Sequence, residues 1–113
     1  MGAAVKDETQ RRADPLTIPG PTRVAMDLLG RRWVLPLLYL LCKRNARFNE
    51  LASAMPDLSH RVLTERLREL ENEGLVDRHV SSGVPTRITY TISPRGAALH
   101  EMFADIETWA GLA

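Results

Sequence analysis

Residues 49–74 read NELASAMPDLSHRVLTERLRELENEG, and this stretch decides the fold. Leu51, Ala52 and Met55 recur at helical spacing behind Asn49, a residue type suited to capping a helix start, and Pro56 stops the run. Ser59 then opens a second helix in which Leu63, Leu67 and Leu70 follow at four- and three-residue steps, and Gly74 ends it. His60, Arg61, Thr64, Glu65 and Arg68 fall on its other faces. Two helices joined by so tight a connection predict a helix-turn-helix.

Downstream, the apolar period becomes two. Leu75, Asp77 and His79 alternate with Val76, Arg78 and Val80, Ser81-Ser82-Gly83 turns the chain, and Thr86 to Ile92 returns with Ile88, Tyr90 and Ile92 opposite Arg87, Thr89 and Thr91. This is a hairpin. Ser93 as N-cap and Pro94 at the first helical position predict a final helix, whose stripe Leu99, Met102, Phe103, Ile106 and Trp109 keeps 3.6-residue spacing. Upstream, Thr22 is placed to cap a helix with Val24, Ala25, Leu28 and Leu29 on one face and Gly30 as its stop. The next helix, from Trp33 to Leu41, is apolar nearly all round, as befits the centre of a small domain. Pro36 costs it little in the first turn and kinks it if deeper. Arg47 and Phe48 suit a very short strand. Residues 1–21 lack periodicity and end in Pro15, Pro19, Gly20 and Pro21, which predicts a flexible N-terminal arm and leaves 22–113 as a single domain.

With 113 residues the chain can build one core, and oligomerisation would help stabilise it. Its single cysteine, Cys42, excludes an intramolecular disulfide framework and an all-Cys zinc site and suits a reducing, cytoplasmic location. The longest apolar run is about half of what a bilayer span needs, and Met1 to Ala13 has no apolar segment of the signal-peptide kind, so no membrane partner is expected. A net charge of +1 hides an asymmetry. Arg23, Arg31, Arg32, Lys43, Arg44 and Arg47 stand against Asp27 alone in residues 23–47, while residues 96–113 carry only Glu101, Asp105 and Glu107. That pattern suits a basic DNA-facing side opposite an acidic end. There is no Gly-rich phosphate loop, no paired-histidine zinc motif and no nucleophile signature, so the chain is not expected to be an enzyme or to need a cofactor. His100 with Glu101, Asp105 and Glu107 raises a carboxylate-rich metal site, but neighbouring His100 and Glu101 point different ways and a solvated acidic helix accounts for them better.

The expected fold is therefore mainly α with a small β-hairpin (α+β): a winged helix-turn-helix carrying extra N- and C-terminal dimerisation helices. Its logic is that a helix fits the major groove while a hairpin follows the neighbouring backbone or minor groove. The segments Asp27-Leu28-Leu29-Gly30-Arg31-Arg32-Trp33, Arg47-Phe48-Asn49-Glu50-Leu51, Leu58 to Leu70, Gly74-Leu75-Val76 and Val84-Pro85-Thr86-Arg87 resemble, in order and spacing, the HxlR-type bacterial transcription regulators, relatives of the MarR group. The resemblance covers about residues 20–110. It implies a homodimer on a pseudo-palindromic double-stranded DNA operator, acting as a repressor, and it places Ser59, His60, Arg61, Thr64 and Arg68 on the recognition helix and Arg87 on the wing.

The residues themselves agree with that placement. His60 and Arg61, in the first turn, are candidates for base edges, with Arg61 suited to guanine O6 and N7, while Thr64 suits a phosphate or a thymine methyl. Ser81, Ser82 and Asn49 are weaker candidates for phosphate, since turn and cap chemistry explains them equally. Arg87 can enter a narrow minor groove. Val24, Leu28, Leu99, Met102, Phe103, Ile106 and Trp109 are the candidate dimer surface. Trp33, Pro36, Tyr39, Met102, Phe103 and Trp109 are candidates to line a pocket for a small apolar or aromatic effector. Three positions depart from the family pattern: Gly20 precedes Pro21 where many members carry Cys-Pro, Pro36 interrupts the central helix, and Arg44 replaces a common loop glycine. The first removes the usual thiol-sensor position, and Cys42, on an apolar helix, is expected to be buried and inert. A winged helix that binds protein rather than DNA stays open as the alternative.

Overall fold

The computed structural model describes residues 15–112, so residues 1–14 of the expected arm lie outside the described part. The elements run α1 (Gly20–Leu29), α2 (Val34–Lys43), β1 (Ala46–Arg47), α3 (Phe48–Ala54), α4 (His60–Asn72), β2 (Val76–Val80), β3 (Ile88–Ile92), α5 (Pro94–Ala97) and α6 (His100–Trp109). The strands form one antiparallel sheet in the order β1-β3-β2, with Ala46 opposite Tyr90 and Val76 opposite Ile92. This is the winged helix-turn-helix the sequence predicts, with α3 and α4 as its helix pair and the β2–β3 hairpin as its wing.

At the centre lies α2. Val34, Leu37, Leu38 and Leu41 are fully buried and share one core with Leu51, Leu63, Leu67, Leu70 and Val76. Pro36 is the third residue of α2 and the first intrahelical bond runs from Leu37 N to Trp33 O, so the proline's missing N–H is one no helix would use. The helix is not interrupted. Trp33 precedes it at φ 77°, a strained backbone for a bulky side chain. Its turn is held by Arg66 of α4, whose Nε donates to Arg32 O at 2.9 Å, while Arg32 stacks on the Trp33 ring at 4.8 Å.

Several boundaries differ from expectation. Helix α1 opens at Gly20 rather than at Thr22, with Pro21 inside its first turn, where proline is preorganised, and with no side-chain cap. The short strand is Ala46–Arg47, so Phe48 already belongs to α3. Asn49 is not the cap of α3: it lies inside the first turn, and Glu50 Oε1 takes the free Arg47 N–H at 2.9 Å instead. The predicted single C-terminal helix is two, α5 and α6, parted at Ala98 and Leu99. Ser93 does cap the first of these, accepting from Gly96 N at 3.0 Å while donating to Gly74 O at 2.6 Å. Gly74, at φ 74°, ends α4 with Leu75 N bonded to Leu70 O and its own N–H to Glu71 O. Thus one buried serine ties the end of the recognition helix to the start of α5.

Gly96 makes that junction possible, because a Cβ there would lie 2.4 Å from Leu75 O and 2.6 Å from Ile92 Cδ1. We expect Gly96→Ala to lower unfolding stability by about 2 kcal/mol or more, since backbone blocks one side of the contact. Gly20→Ala, whose Cβ meets nothing within 4 Å, should leave stability unchanged or slightly raised. Urea unfolding midpoints of the two variants check the contrast.

Candidate nucleic-acid interface

Helix α4 has two faces with different tasks. Its rear carries Leu63, Leu67 and Leu70 into the core, and at the border Arg66 bonds Arg32 O and Glu69 at 3.3 Å while Glu69 also reaches Arg31 at 3.9 Å. Its front presents Ser59, His60, Arg61, Thr64 and Arg68, all exposed. Ser59 Oγ accepts from Val62 N at 3.1 Å and so caps the helix, as its sequence context predicts. Thr64 Oγ1 donates back to His60 O at 2.8 Å, which leaves its methyl and an oxygen lone pair outward. The His60 ring meets Phe48 of α3 edge to face, 5.3 Å between centroids, so it is held rather than loose. Arg61 pairs with Glu65 at 3.4 Å, but its side chain is 82% exposed. Such a pair contributes little in water and can be exchanged for a base edge.

The wing is closed by its own backbone and one hydroxyl. Ser81 N donates to Arg87 O at 2.8 Å and Ser81 Oγ accepts from Arg87 N at 2.9 Å. The Ser81 hydroxyl therefore helps close the hairpin as an acceptor and keeps its own O–H to donate, and Ser81, Ser82 and Arg87 are all exposed. Asn49 lines an open groove of about 370 Å³ with Arg47, Phe48, Thr86 and Arg87. A second groove, about 350 Å³, lies between α4 and the wing strands and is lined by Thr64, Arg68, Glu71, Arg78 and Tyr90. Arg78 is an interface candidate that the sequence reading passed over, and Arg47 one that it placed only within a broad basic cluster. The available signal was Arg78 standing as the one charged residue on a strand face otherwise made of Val76 and Val80.

The candidate dimer and effector residues do not stay together. Leu28 and Phe103 are buried in the protomer's own core, and Leu99 and Met102 are half-buried against it. Val24 (68% exposed), Ile106 and Trp109 (89% exposed) remain as outward apolar surface on α1 and α6. The candidate effector residues are dispersed in the protomer: Tyr39 and Phe103 pack edge to face at 5.6 Å and line a small cavity of about 50 Å³ with Cys42 and Glu107, Pro36 fits the first turn of α2, and Trp109 is 89% exposed. The larger apolar groove, about 520 Å³, lies instead along α1, lined by Pro21, Val24, Leu28, Leu75 and Leu99 with Glu73 and Arg95 at its polar end. Among the described residues no cluster of three or more His, Cys, Asp or Glu is placed to hold a metal ion, and no helix is long and apolar enough to cross a membrane.

Tyr39 instead links α2 to α6. Its hydroxyl donates to Glu107 Oε2 at 2.7 Å, and Lys43 sits 3.7 Å from the same carboxylate and 4.9 Å above the Tyr39 ring. The Tyr39 hydrogen bond, with Lys43 behind it, holds the Glu107 carboxyl below its ordinary pKa, and Tyr39 first, then the Glu107 charge, raises that of Lys43. Cys42, half-buried beside them, has its thiol pKa raised by burial. A carboxylate held low stabilises the fold above its ordinary pKa and loses that contribution as pH falls through the lowered value. We therefore expect Tyr39→Phe to lower the thermal midpoint at neutral pH, with the gap to wild type narrowing in acid. Melts across the carboxylate titration range check this.

Comparison with known proteins places this arrangement among regulators. The HxlR-like helix-turn-helix family matches residues 28–112. The HTH-type transcriptional regulator YvaP of Bacillus subtilis (strain 168), itself uncharacterized, is 44% identical over 86 residues, covering 76% of this chain and 80% of that protein. YodB of the same organism, also an HTH-type transcriptional regulator, is 36% identical over 86 residues, covering 76% and 77%. The reduced form of YodB superposes with a TM-score of 0.75 at 33% identity over 83% of this chain and 92% of that one, and YodB structures also exist diamide-treated and quinone-bound.

Proposed function

The chain belongs to the HxlR-like helix-turn-helix family of transcriptional regulators, and from that premise we propose that it is a homodimeric repressor that reads a pseudo-palindromic operator with α4. One observation carries the reading: apart from the ring contact of His60 with Phe48, the bonds of α4 to the rest of the protomer come from its rear or border, which leaves Ser59, His60, Arg61, Thr64 and Arg68 together on an exposed front. A helix start so presented suits the major groove. Arg61 takes the base-reading role, able to give a bidentate bond to guanine, and His60, steadied by Phe48, lies next to it. Relatives that are regulators rather than enzymes support the absence of a catalytic role.

Dimerisation rests on the outward apolar residues Val24, Ile106 and Trp109, which a monomer would leave wet. Two-fold pairing through α1 and α6 would set two copies of α4 about 34 Å apart, one turn of DNA. Control by a small apolar or aromatic molecule fits the groove along α1, at the edge of that surface, rather than the aromatic set first considered. Although YodB has diamide-treated and quinone-bound structures, the single cysteine of this chain, Cys42, has its thiol pKa raised by burial, so we do not assign it a thiol switch.

The experiment is selection of duplexes from a random pool by wild-type protein, then gel-shift titration at fixed salt. Arg61→Ala should cost about 1–3 kcal/mol on the selected duplex and relax preference at one base position in each half-site. An unchanged affinity would remove Arg61 from the reading face, and a wild type that selects no sequence would favour a protein-binding winged helix. Sedimentation at micromolar concentration should give a dimer; a monomer that still binds one half-site tightly would overturn the dimeric reading.

A further inference from the structure

Sorting the cations of the described residues by their partners separates them sharply. Arg23, Arg31, Lys43, Arg44, Arg61 and Arg66 each have a carboxylate within salt-bridge distance, Arg32 lies on the Trp33 ring, and Arg95 donates to Glu73 O. Among the described residues Arg47, Arg68, Arg78 and Arg87 have none of these. The four are exposed, and they are not scattered. Arg47 and Arg87 line one groove, Arg68 and Arg78 the other.

The strand register says where these grooves stand relative to the wing. Arg47 is opposite Thr89, and Arg87 shares the parity of Thr89, so the first pair belongs to the outer face of the sheet. Arg78 is opposite Tyr90, which is buried and opposite Ala46, so the second pair belongs to the face turned toward the core and α4. Glu71 also lines the second groove but lies beyond salt-bridge distance of both its arginines, so each pair still leaves guanidinium donors open, and guanidinium geometry suits phosphate. A ribbon entering the minor groove has a phosphate backbone on each side of it.

We propose that the base of the wing is a two-sided phosphate grip: Arg47 with Arg87 holds one DNA backbone, and Arg68 with Arg78 holds the backbone across the same minor groove. The proposal rests on the DNA-binding reading above and assigns Arg87 to phosphate rather than to the minor-groove floor. It also turns Arg68 from base reading toward the wing. The grip would fix how deep the hairpin sits and, through Arg68, the angle at which α4 enters the major groove.

The test uses the full chain, the duplex selected by wild type and a scrambled duplex, with affinity measured across a salt series. Each phosphate contact contributes about 0.9 to the slope of log affinity against log salt. Arg47→Gln and Arg78→Gln should each lower that slope by about 0.9 per protomer engaged on both duplexes and leave the ratio between duplexes unchanged. The lysine variants of the same residues should restore the slope. Slopes that stay at the wild-type value in both glutamine variants would overturn the grip, as would Arg87→Gln altering preference for A·T pairs with no change in slope. Those outcomes are separate from failure of the DNA reading itself, which is wild type binding the two duplexes equally.

Discussion

Burial of Leu63, Leu67 and Leu70 in the same core as Leu37, Leu38 and Leu41 is the constraint on which the molecule depends. A fully buried leucine is worth roughly 1.5–3 kcal/mol, so this cluster rivals the net stability of a small domain. It also fixes rotation. With three leucines turned inward at four- and three-residue steps, α4 has no freedom to choose which residues face solvent. The front face is therefore set by the core, and the rest of the protomer serves to hold that core at the right height against the hairpin.

The turn between α1 and α2 shows how far that control extends. Trp33 sits in a backbone region costing about 1–3 kcal/mol, and the strain is offset by partners from α4: Arg66 on Arg32 O, and Glu69 toward Arg31. Hence the recognition helix and the N-terminal helix share a junction only a few residues long. At the other end, Ser93 joins the end of α4 to α5 through Gly74 O, and Tyr39 joins α2 to α6 through Glu107. A change in how α1 or α6 packs has a short, bonded route to α4 on each side.

The fold was legible because its strongest signals are periodic. Leu63, Leu67 and Leu70 announced a helix with one buried face, the alternation from Leu75 to Ile92 announced the hairpin, and Ser93-Pro94 announced a helix start. What escaped was set by tertiary contacts. Asn49 has the side chain of a cap, yet the cap position falls two residues earlier, at Arg47, where the strand pairing of Ala46 and Arg47 ends and Glu50 reaches the free N–H. The last stripe read as one helix because Ala98 and Leu99 carry no breaker, yet the chain tightens there, with Leu99 N bonded to Gly96 O. The aromatic set was dispersed for a related reason: spacing on two helices does not reveal that Tyr39 and Phe103 pack edge to face while Trp109 stays exposed. Arg47 and Arg78 acquire meaning only when register brings them beside Arg87 and Arg68.

The two-faced α4 has a consequence for how such a chain can diversify. Apart from His60, which packs on Phe48, its outward residues take almost no part in holding the protomer together: the Ser59 cap and the Thr64 back-bond are local to the helix, and the Arg61 pair is a solvent-exposed one. Mutational drift at Arg61, Thr64 or Arg68 is thus nearly uncoupled from foldability, while drift at Leu63, Arg66 or Leu67 is not. After duplication of the gene, two copies could part in address while remaining alike in body, and their divergence would be concentrated in the outward positions of a single three-turn segment.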